Sequence, residues 1–217
     1  MNAKKTKFTL FHKKSTKHNL PPTIPDIKMG SKSIERSSSI KFLGVMLDEH
    51  LSWKDHIHTV ENKIAKNLGL LYRANQFLDE HSLKTIYFSY IHSYLNYANL
   101  AWASTHLTKL KKINMLQKRA VRFVFNEGRL CHSRPLLKEL NSLNVYQINL
   151  YQHLNFMHKF KNEQVPAVFN NLISQPRHKY PTKFSTLNYC LKKCSLTSTK
   201  YSISFRGPKL WNELLTQ

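Results

Sequence analysis

The sequence predicts an α+β chain that is mostly α, with a short strand-rich start followed by amphipathic helices. In residues 7–47, short apolar runs alternate with Pro, Gly and Ser, which is typical of strands and turns. From Ser52 onward, apolar residues recur at spacings of three and four, which indicates helices. We therefore divide the chain into residues 1–50, residues 51–128 and residues 129–217.

The strand-rich part contains three candidate elements. Phe8–His12 is short, apolar and β-prone, and residues 27–36 read as a hairpin that turns at Gly30 and Ser31. The run "IKFLGVML" reads as one buried strand, in which Gly44 indicates a bulge or a close backbone approach. We expect these strands to form a small antiparallel sheet.

Three long helices follow. Ser52 with Asp55 three residues later is a capping-box pattern that begins the first helix, the second begins near Ser82, and the third runs from about Leu107 to Phe125. Their predicted inner faces are Trp53, Ile57, Val60, Ile64, Leu68 and Leu71; Leu83, Ile86, Tyr87, Tyr90, Ile91 and Tyr94; and Leu110, Ile113, Gln117, Ala120, Val121 and Val124.

The segment beyond Gly128 has weaker patterns. We expect a short helix, then a longer one from about Val145, and a brief helix in "VPAVFNNLI". Residues 174–200 are polar, "SISF" reads as a short strand, and Pro208 is predicted to open a final helix at its first turn.

The charge of the chain is strongly one-sided. Its 217 residues carry 34 Lys and Arg against 12 Asp and Glu, a net charge of +22. No acidic residue occurs from His81 to Asn126 or from Gln164 to Asn212, so we expect the basic side chains there to lack local partners. Because Lys and Arg release counterions when they neutralise phosphates, this composition favours a nucleic-acid partner over a small neutral substrate.

The third helix carries the basic residues that best fit such a role. Lys111, Lys118 and Arg122 share one stripe opposite the apolar face, and Lys112 and Arg119 flank it. We predict that these five residues bind nucleic acid, although a solvated helix face is the ordinary alternative. The tyrosine-rich run "YFSYIHSYLNYANLAWAS" could stack bases, but its helical spacing favours a place in the core.

Signals of catalysis or metal binding are weak. The twelve histidines show no ligand spacing, and His56 and His58 fall on different helix faces, so we expect no metal site. No pair or triad typical of a catalytic centre is present, and Asp48-Glu49 reads as the end of a strand. The three cysteines are too scattered for a disulfide framework, which favours a reducing, intracellular compartment, nucleus or cytoplasm. No apolar run is long enough to cross a membrane.

The segment "FLGVMLDEHLSWKDHI" resembles the passage from palm to thumb in the reverse transcriptases of jockey-like non-LTR retrotransposons. The matching residues are Phe42-Leu43-Gly44-Val45, Asp48, Trp53 and His56-Ile57. "KTKFTLFH" resembles a palm strand of that family, "SYIHSYLNYANLAWAS" and "KLKKINMLQKRAVRFVF" resemble its thumb, and "RGPKLWNELL" resembles its C-terminal ending. The resemblance covers nearly the whole chain.

The resemblance implies the C-terminal part of an RNA-directed DNA polymerase: truncated palm strands followed by thumb-like helices that hold a template-primer duplex of RNA and DNA. Phe42, Leu43 and Gly44 would form a primer-grip-like turn. The metal-binding aspartates of that family lie upstream of Lys7, so we expect no catalytic residues, no small-molecule substrate and no cofactor in this chain, Mg²⁺ belonging to the intact polymerase. A basic helical binding module, a remnant without function, and an enzyme with further upstream exons are the alternatives.

Overall fold

The structure is a computed structural model in which residues 6–12, 26–174, 189–194 and 197–215 are described. Two compact units are present, residues 1–60 and residues 61–217, and the boundary between them lies within the first long helix. Helices dominate, and the strands form small two-stranded ladders. This confirms the predicted α+β fold class with mostly α-helical content. The three-part division of the chain stays a prediction.

The strands of the described residues form three separate ladders rather than one sheet. β2 pairs with β3 and β5 pairs with β6, both antiparallel, whereas β1 pairs with β4 in parallel. The expectation of one antiparallel sheet is therefore wrong in connectivity and partly wrong in direction. A parallel pair needs a long connection, and residues 9–34 separate β1 from β4. The strands are β1 (Lys7–Phe8), β2 (Lys28–Met29), β3 (Lys32–Ser33), β4 (Glu35–Arg36), β5 (Ser39–Phe42) and β6 (Val45–Asp48).

The run "IKFLGVML" is a hairpin and not the single buried strand that was predicted. β5 and β6 pair from Ser39 opposite Asp48 to Phe42 opposite Val45, so Leu43 and Gly44 alone form the turn. Both have positive φ, 45° at Leu43 and 82° at Gly44, as a two-residue turn between twisted strands requires. Glycine adopts this conformation without strain, whereas leucine does not. The predicted turn at Gly30 and Ser31, by contrast, is confirmed, with φ of 65° at Gly30. Its second arm is shorter than predicted, because Lys32–Ser33 pairs with Lys28–Met29 whereas Glu35–Arg36 pairs with β1.

Asp48 joins the hairpin to the first helix. Its carboxylate accepts hydrogen bonds from the backbone N–H groups of Ser52 (2.9 Å) and Trp53 (3.0 Å), and Ser52 Oγ accepts from Lys54 N–H (3.4 Å). Partial burial raises the pKa of Asp48, but these N–H donors outweigh it, and the net pKa lies below the ordinary 3.8. Asp48 is thus the end of a strand, as predicted, and it also anchors the start of the helix.

The helices agree with the periodicity in most places. The predicted inner face of the third helix is buried at every one of its six positions. As expected, His56 and His58 lie on different faces of the first helix, since His56 is buried and His58 is exposed. The helices are α1 (Lys54–Ala74), α2 (Glu80–Tyr87), α3 (Ser93–Asn96), α4 (Asn99–Trp102), α5 (Leu107–Val124), α6 (Ser133–Glu139), α7 (Val145–Lys161), α8 (Thr197–Tyr201) and α9 (Ile203–Leu215), with a π-helical turn at Phe88–His92 and a 3-10 turn at Ala167–Phe169.

The second predicted helix differs in which side chains it buries. Tyr90, assigned to the inner face, is 50% exposed. The π-helical turn that joins α2 to α3 takes more residues per turn than an α-helix, so the buried positions keep a spacing of four along this stretch. Those positions are Leu83, Tyr87, Ile91 and Leu95.

The C-terminal helix begins earlier than predicted. α9 starts at Ile203, so the expected strand at Ser202–Phe205 is wrong, and Pro208 lies inside the helix instead of opening it. Packing against α7 explains the difference: a Cβ on Gly207 would lie 2.9 Å from Met157 Sδ, and Arg206 donates to Asn149 Oδ1 (3.0 Å). These contacts compensate for the backbone hydrogen bond that proline cannot donate. Most of the polar segment 174–200 lies outside the described residues.

Gln117 lies at the centre of the helical unit. Its side chain is fully buried, and its amide nitrogen donates to the Tyr87 hydroxyl (3.0 Å) and to the Leu143 carbonyl (2.9 Å). Its amide oxygen accepts from the backbone N–H of Val145 (3.0 Å), the first residue of α7. One side chain of α5 therefore ties α2, α5 and α7 together.

We expect Asp48→Asn to destabilise the residue 1–60 unit by about 1 kcal/mol, because an amide can accept only one of the two backbone hydrogen bonds. Since the folded pKa of Asp48 is lowered, its contribution is complete above about pH 4 and is lost as the pH falls through the folded pKa. Chemical denaturation between pH 7 and pH 2.5 measures both effects. Asp55→Asn, an exposed carboxylate on the first turn of α1, is the matched control. Equal acid sensitivity in the wild type and Asp48→Asn would contradict this role.

Candidate nucleic-acid interface

The five basic residues predicted on the third helix lie opposite the buried face of α5. At 100° per residue, Lys111, Lys118 and Arg122 form one stripe, with Lys112 and Arg119 beside it, and we call these five residues the basic arc. Lys111, Lys112 and Arg119 are exposed, whereas Lys118 and Arg122 are half-buried. The buried side of α5 thus holds the arc on the outer surface of the helix.

Ion pairing distinguishes three members of the arc from three paired lysines elsewhere in the chain. Three other lysines form ion pairs, which are Lys7 with Glu35 (3.0 Å), Lys84 with Glu80, and Lys209 with Glu213 (3.8 Å). Among the described residues, Lys111, Lys118 and Arg119 have no acidic partner within 4.0 Å. Their charge is therefore available to an external anion.

Two members of the arc are already engaged, which the sequence did not reveal. Lys112 pairs with Glu61 of α1 (3.0 Å), so an acidic residue from another helix neutralises it. Arg122 donates its Nε–H to the carbonyl of Cys131 (2.7 Å), which leaves its two terminal amino groups as the remaining donors. Lys112 is thus the weakest candidate of the five, and Arg122 has a structural role as well.

A cavity of about 370 Å³ opens beside the arc and is rich in arginine. Arg119 and Arg122 line it together with Arg129, which follows α5 in the chain. Leu68 and Phe123 supply apolar walls, and Glu127 is its acidic member. We call this site the arginine cavity. Three guanidinium groups against one carboxylate favour an anion, since arginine binds phosphate in a bidentate manner. Arg129 could not be predicted from the periodicity of α5, because it lies beyond the end of that helix.

The tip of the β5–β6 hairpin carries the residues predicted to be primer-grip-like. Phe42 is 59% exposed and Leu43 is 74% exposed, and Gly44 completes the turn. Exposure of these apolar side chains to water is unfavourable. Asparagine, which adopts positive φ more readily than leucine, would be the usual residue at position 43 of such a turn. The tip is therefore an exposed apolar surface.

Several aromatic rings of the tyrosine-rich run are on the surface, contrary to the expectation that most lie in the core. Tyr87 and Trp102 are fully buried, but Phe88, Tyr90 and Tyr97 are exposed by 38%, 50% and 55%. The π-helical turn at Phe88–His92 redirects this face. Exposed aromatic rings can stack on unpaired bases.

The Cys131 thiol and the Ser104–His153 pair are candidate nucleophiles by residue type. Desolvation, followed by the hydrogen bond and negative charge of Glu127, raises the pKa of the Cys131 thiol, which disfavours the nucleophilic thiolate. Desolvation lowers the pKa of the buried His153 to about 4, and it outweighs a hydrogen bond with the Asn149 carbonyl that would raise the pKa. Ser104 Oγ lies 3.4 Å from His153 Nε2, but its proton goes to the Leu100 carbonyl (2.6 Å). This pair therefore does not form an activated serine.

Comparison with protein-family models, with curated proteins and with solved structures finds no match to this chain. In the part of the chain that the structure describes, no helix is both long enough and apolar enough to cross a membrane.

Arg122 and Arg119 should differ in their effect on stability although they are three residues apart. We expect Arg122→Ala to lower the free energy of unfolding by about 1.5 kcal/mol, because its charged donor to Cys131 is removed. Arg122→Lys should destabilise similarly, since an ammonium group cannot reproduce the Nε geometry. Arg119→Ala, at an exposed position, should stay within about 0.5 kcal/mol of the wild type. Chemical denaturation of the three variants tests this; an equal loss in Arg119→Ala would refute the assignment.

Proposed function

We propose that this chain binds a nucleic-acid duplex through its sugar-phosphate backbone, with Lys111, Lys118 and Arg119 as the principal contacts. The observation that carries the proposal is the contrast between these cations and the paired lysines at positions 7, 84, 112 and 209. A net charge of +22 makes association with a polyanion favourable at long range as well. The partner classes are RNA and DNA.

Binding of this kind should be insensitive to base sequence. Lysine and arginine on an exposed helix face reach phosphate oxygens, which fix the position of a protein on a duplex and carry no sequence information directly. The arginine cavity adjoins the arc and offers guanidinium donors to a neighbouring phosphate. The proposed contacts thus follow the backbone of the duplex and leave the base edges unread.

The resemblance to non-LTR retrotransposon reverse transcriptases supports a narrower proposal. On that basis the duplex is a template-primer hybrid of RNA and DNA, α1 to α5 act as thumb helices, and residues 6–48 derive from the palm. The exposed hairpin tip at Phe42, Leu43 and Gly44 would then approach the primer. In this proposal the chain holds the substrate of polymerisation, and the catalytic aspartates with their Mg²⁺ belong to other palm segments.

The exposed rings of Phe88, Tyr90 and Tyr97 favour a second candidate, a basic module that binds single-stranded RNA or DNA. Base stacking contributes roughly 1–3 kcal/mol per base, so a few rings are enough to matter. The two candidates predict different binding preferences. Contacts to the sugar-phosphate backbone of a duplex favour duplexes, whereas base stacking on exposed rings favours single strands. A remnant without function would show neither preference.

The salt dependence of binding tests the proposal. We expect the variant Lys111→Ala/Lys118→Ala/Arg119→Ala to reduce the slope of log K against log salt by up to about 0.7 to 0.9 for each phosphate that is no longer neutralised. Affinity should fall similarly for RNA–DNA duplexes of different sequence. Fluorescence anisotropy with labelled duplexes at several salt concentrations measures both quantities, and a single-stranded probe of equal length separates the two candidates.

The control removes the same charge from lysines that already have acidic partners. Lys7→Ala/Lys84→Ala/Lys209→Ala changes the net charge equally, and we expect its slope to stay closer to that of the wild type. Circular dichroism confirms that both variants are folded. Equal slopes for the two triple variants would show that only net charge matters and would overturn the assignment to α5.

A further inference from the structure

We propose that His12, Glu49 and His50 form a Zn²⁺ site. These three side chains come from the segment after β1 and from the turn after β6, and one ligand atom from each lies within 4.8 Å of the others. His12 Nε2 is 3.6 Å from Glu49 Oε2, and His50 Nε2 is 3.7 Å from Glu49 Oε1. All three residues belong to the residue 1–60 unit, so the site is independent of the basic arc and of the proposed function.

The donor set and its spacing suit zinc. Two imidazole nitrogens and one carboxylate are a ligand set that zinc proteins use, with water in the fourth position. Ligand atoms bound at about 2.0–2.1 Å in a tetrahedron are roughly 3.3 Å apart. The contacts of 3.6 and 3.7 Å approach that spacing, so small side-chain rotations would complete the site.

The surrounding groups orient the ligands. His50 Nδ1 lies 3.1 Å from the backbone carbonyl of His12, a contact in which Nδ1–H is the donor. That hydrogen bond leaves the lone pair on His50 Nε2, which is the nitrogen that faces Glu49. Arg36 donates to Glu49 Oε2 (3.1 Å), and the backbone N–H of His12 donates to the Glu49 carbonyl (3.0 Å). Metal ligands are commonly held by outer hydrogen bonds of this kind.

The lack of a core around these strands gives the metal a structural purpose. None of the described residues from 6 to 12 and from 26 to 55 is buried, and the strands form only short ladders. The cysteines, at positions 131, 190 and 194, are free and lie outside this unit. Small domains without a sufficient core depend on disulfides or metals. A Zn²⁺ ion bound by these ligands would fasten the β1 segment to the β5–β6 hairpin.

The test uses the full chain after metal removal. Competition with a chromophoric chelator should show one equivalent of Zn²⁺ bound, and Co²⁺ substituted for Zn²⁺ should give the visible spectrum of a four-coordinate site. We expect His12→Gln, Glu49→Gln and His50→Gln each to weaken binding at least about tenfold, since even outer-shell changes cost that much. His81→Gln, an exposed histidine outside the unit, should bind as the wild type does.

A local readout separates metal binding from general folding. Zn²⁺ should slow amide hydrogen exchange in residues 6–12 and 39–50 of the wild type and of His81→Gln, and should leave exchange unchanged in the other three variants. No stoichiometric binding by the wild-type chain would overturn the proposal without reference to any variant. Undiminished binding in the three site variants would overturn it as well, because the ion would then sit on other histidines.

Discussion

The buried amide of Gln117 is the constraint on which the helical unit depends. Burying an amide is costly unless its donors and acceptor are paired, and here the Tyr87 hydroxyl, the Leu143 carbonyl and the Val145 N–H pair them. Because desolvation outweighs the hydrogen bonds that it receives, the pKa of Tyr87 is raised, and the phenol stays a neutral partner of the amide. A rotation of α5 about its axis would break all these bonds together. Gln117 therefore sets which face of α5 is inside.

The position of the proposed nucleic-acid surface follows from that orientation. With Gln117 inside, the basic arc of α5 is outside, where Glu61 pairs with Lys112 and Glu127 lines the arginine cavity beside Arg119 and Arg122. The arginine cavity arises because Arg122 bonds to Cys131 and so brings the segment with Arg129 back beside α5. The same logic operates on a smaller scale at Asp48, where a carboxylate at the end of β6 accepts hydrogen bonds from the N–H groups that precede α1. In each place a polar contact inside the fold positions the groups offered at its surface.

The sequence predicts the parts of this structure that depend on local periodicity, and misses those that depend on distant contacts. The inner face of α5 and the approximate start of α7 at Val145 follow from the spacing of apolar residues, and the structure adds the capping box of Asn144 and Gln147 that opens α7. The start of α9 depends on Gly207 packing against Met157, which no local pattern shows. Long-range partners account for the other omissions, which are the Lys112–Glu61 pair, Arg129 in the arginine cavity, and the grouping of His12, Glu49 and His50.

Lysine footprinting tests the central claim, that a nucleic-acid duplex covers the outer face of α5. The full chain is acetylated briefly with and without an RNA–DNA duplex, and modification of each lysine is measured by mass spectrometry. We predict strong protection of Lys111 and Lys118, with little change at Lys84 and Lys209, which pair with acidic residues. Protection confined to Lys192, Lys193 and Lys200, with Lys111 and Lys118 fully reactive in the complex, would contradict it.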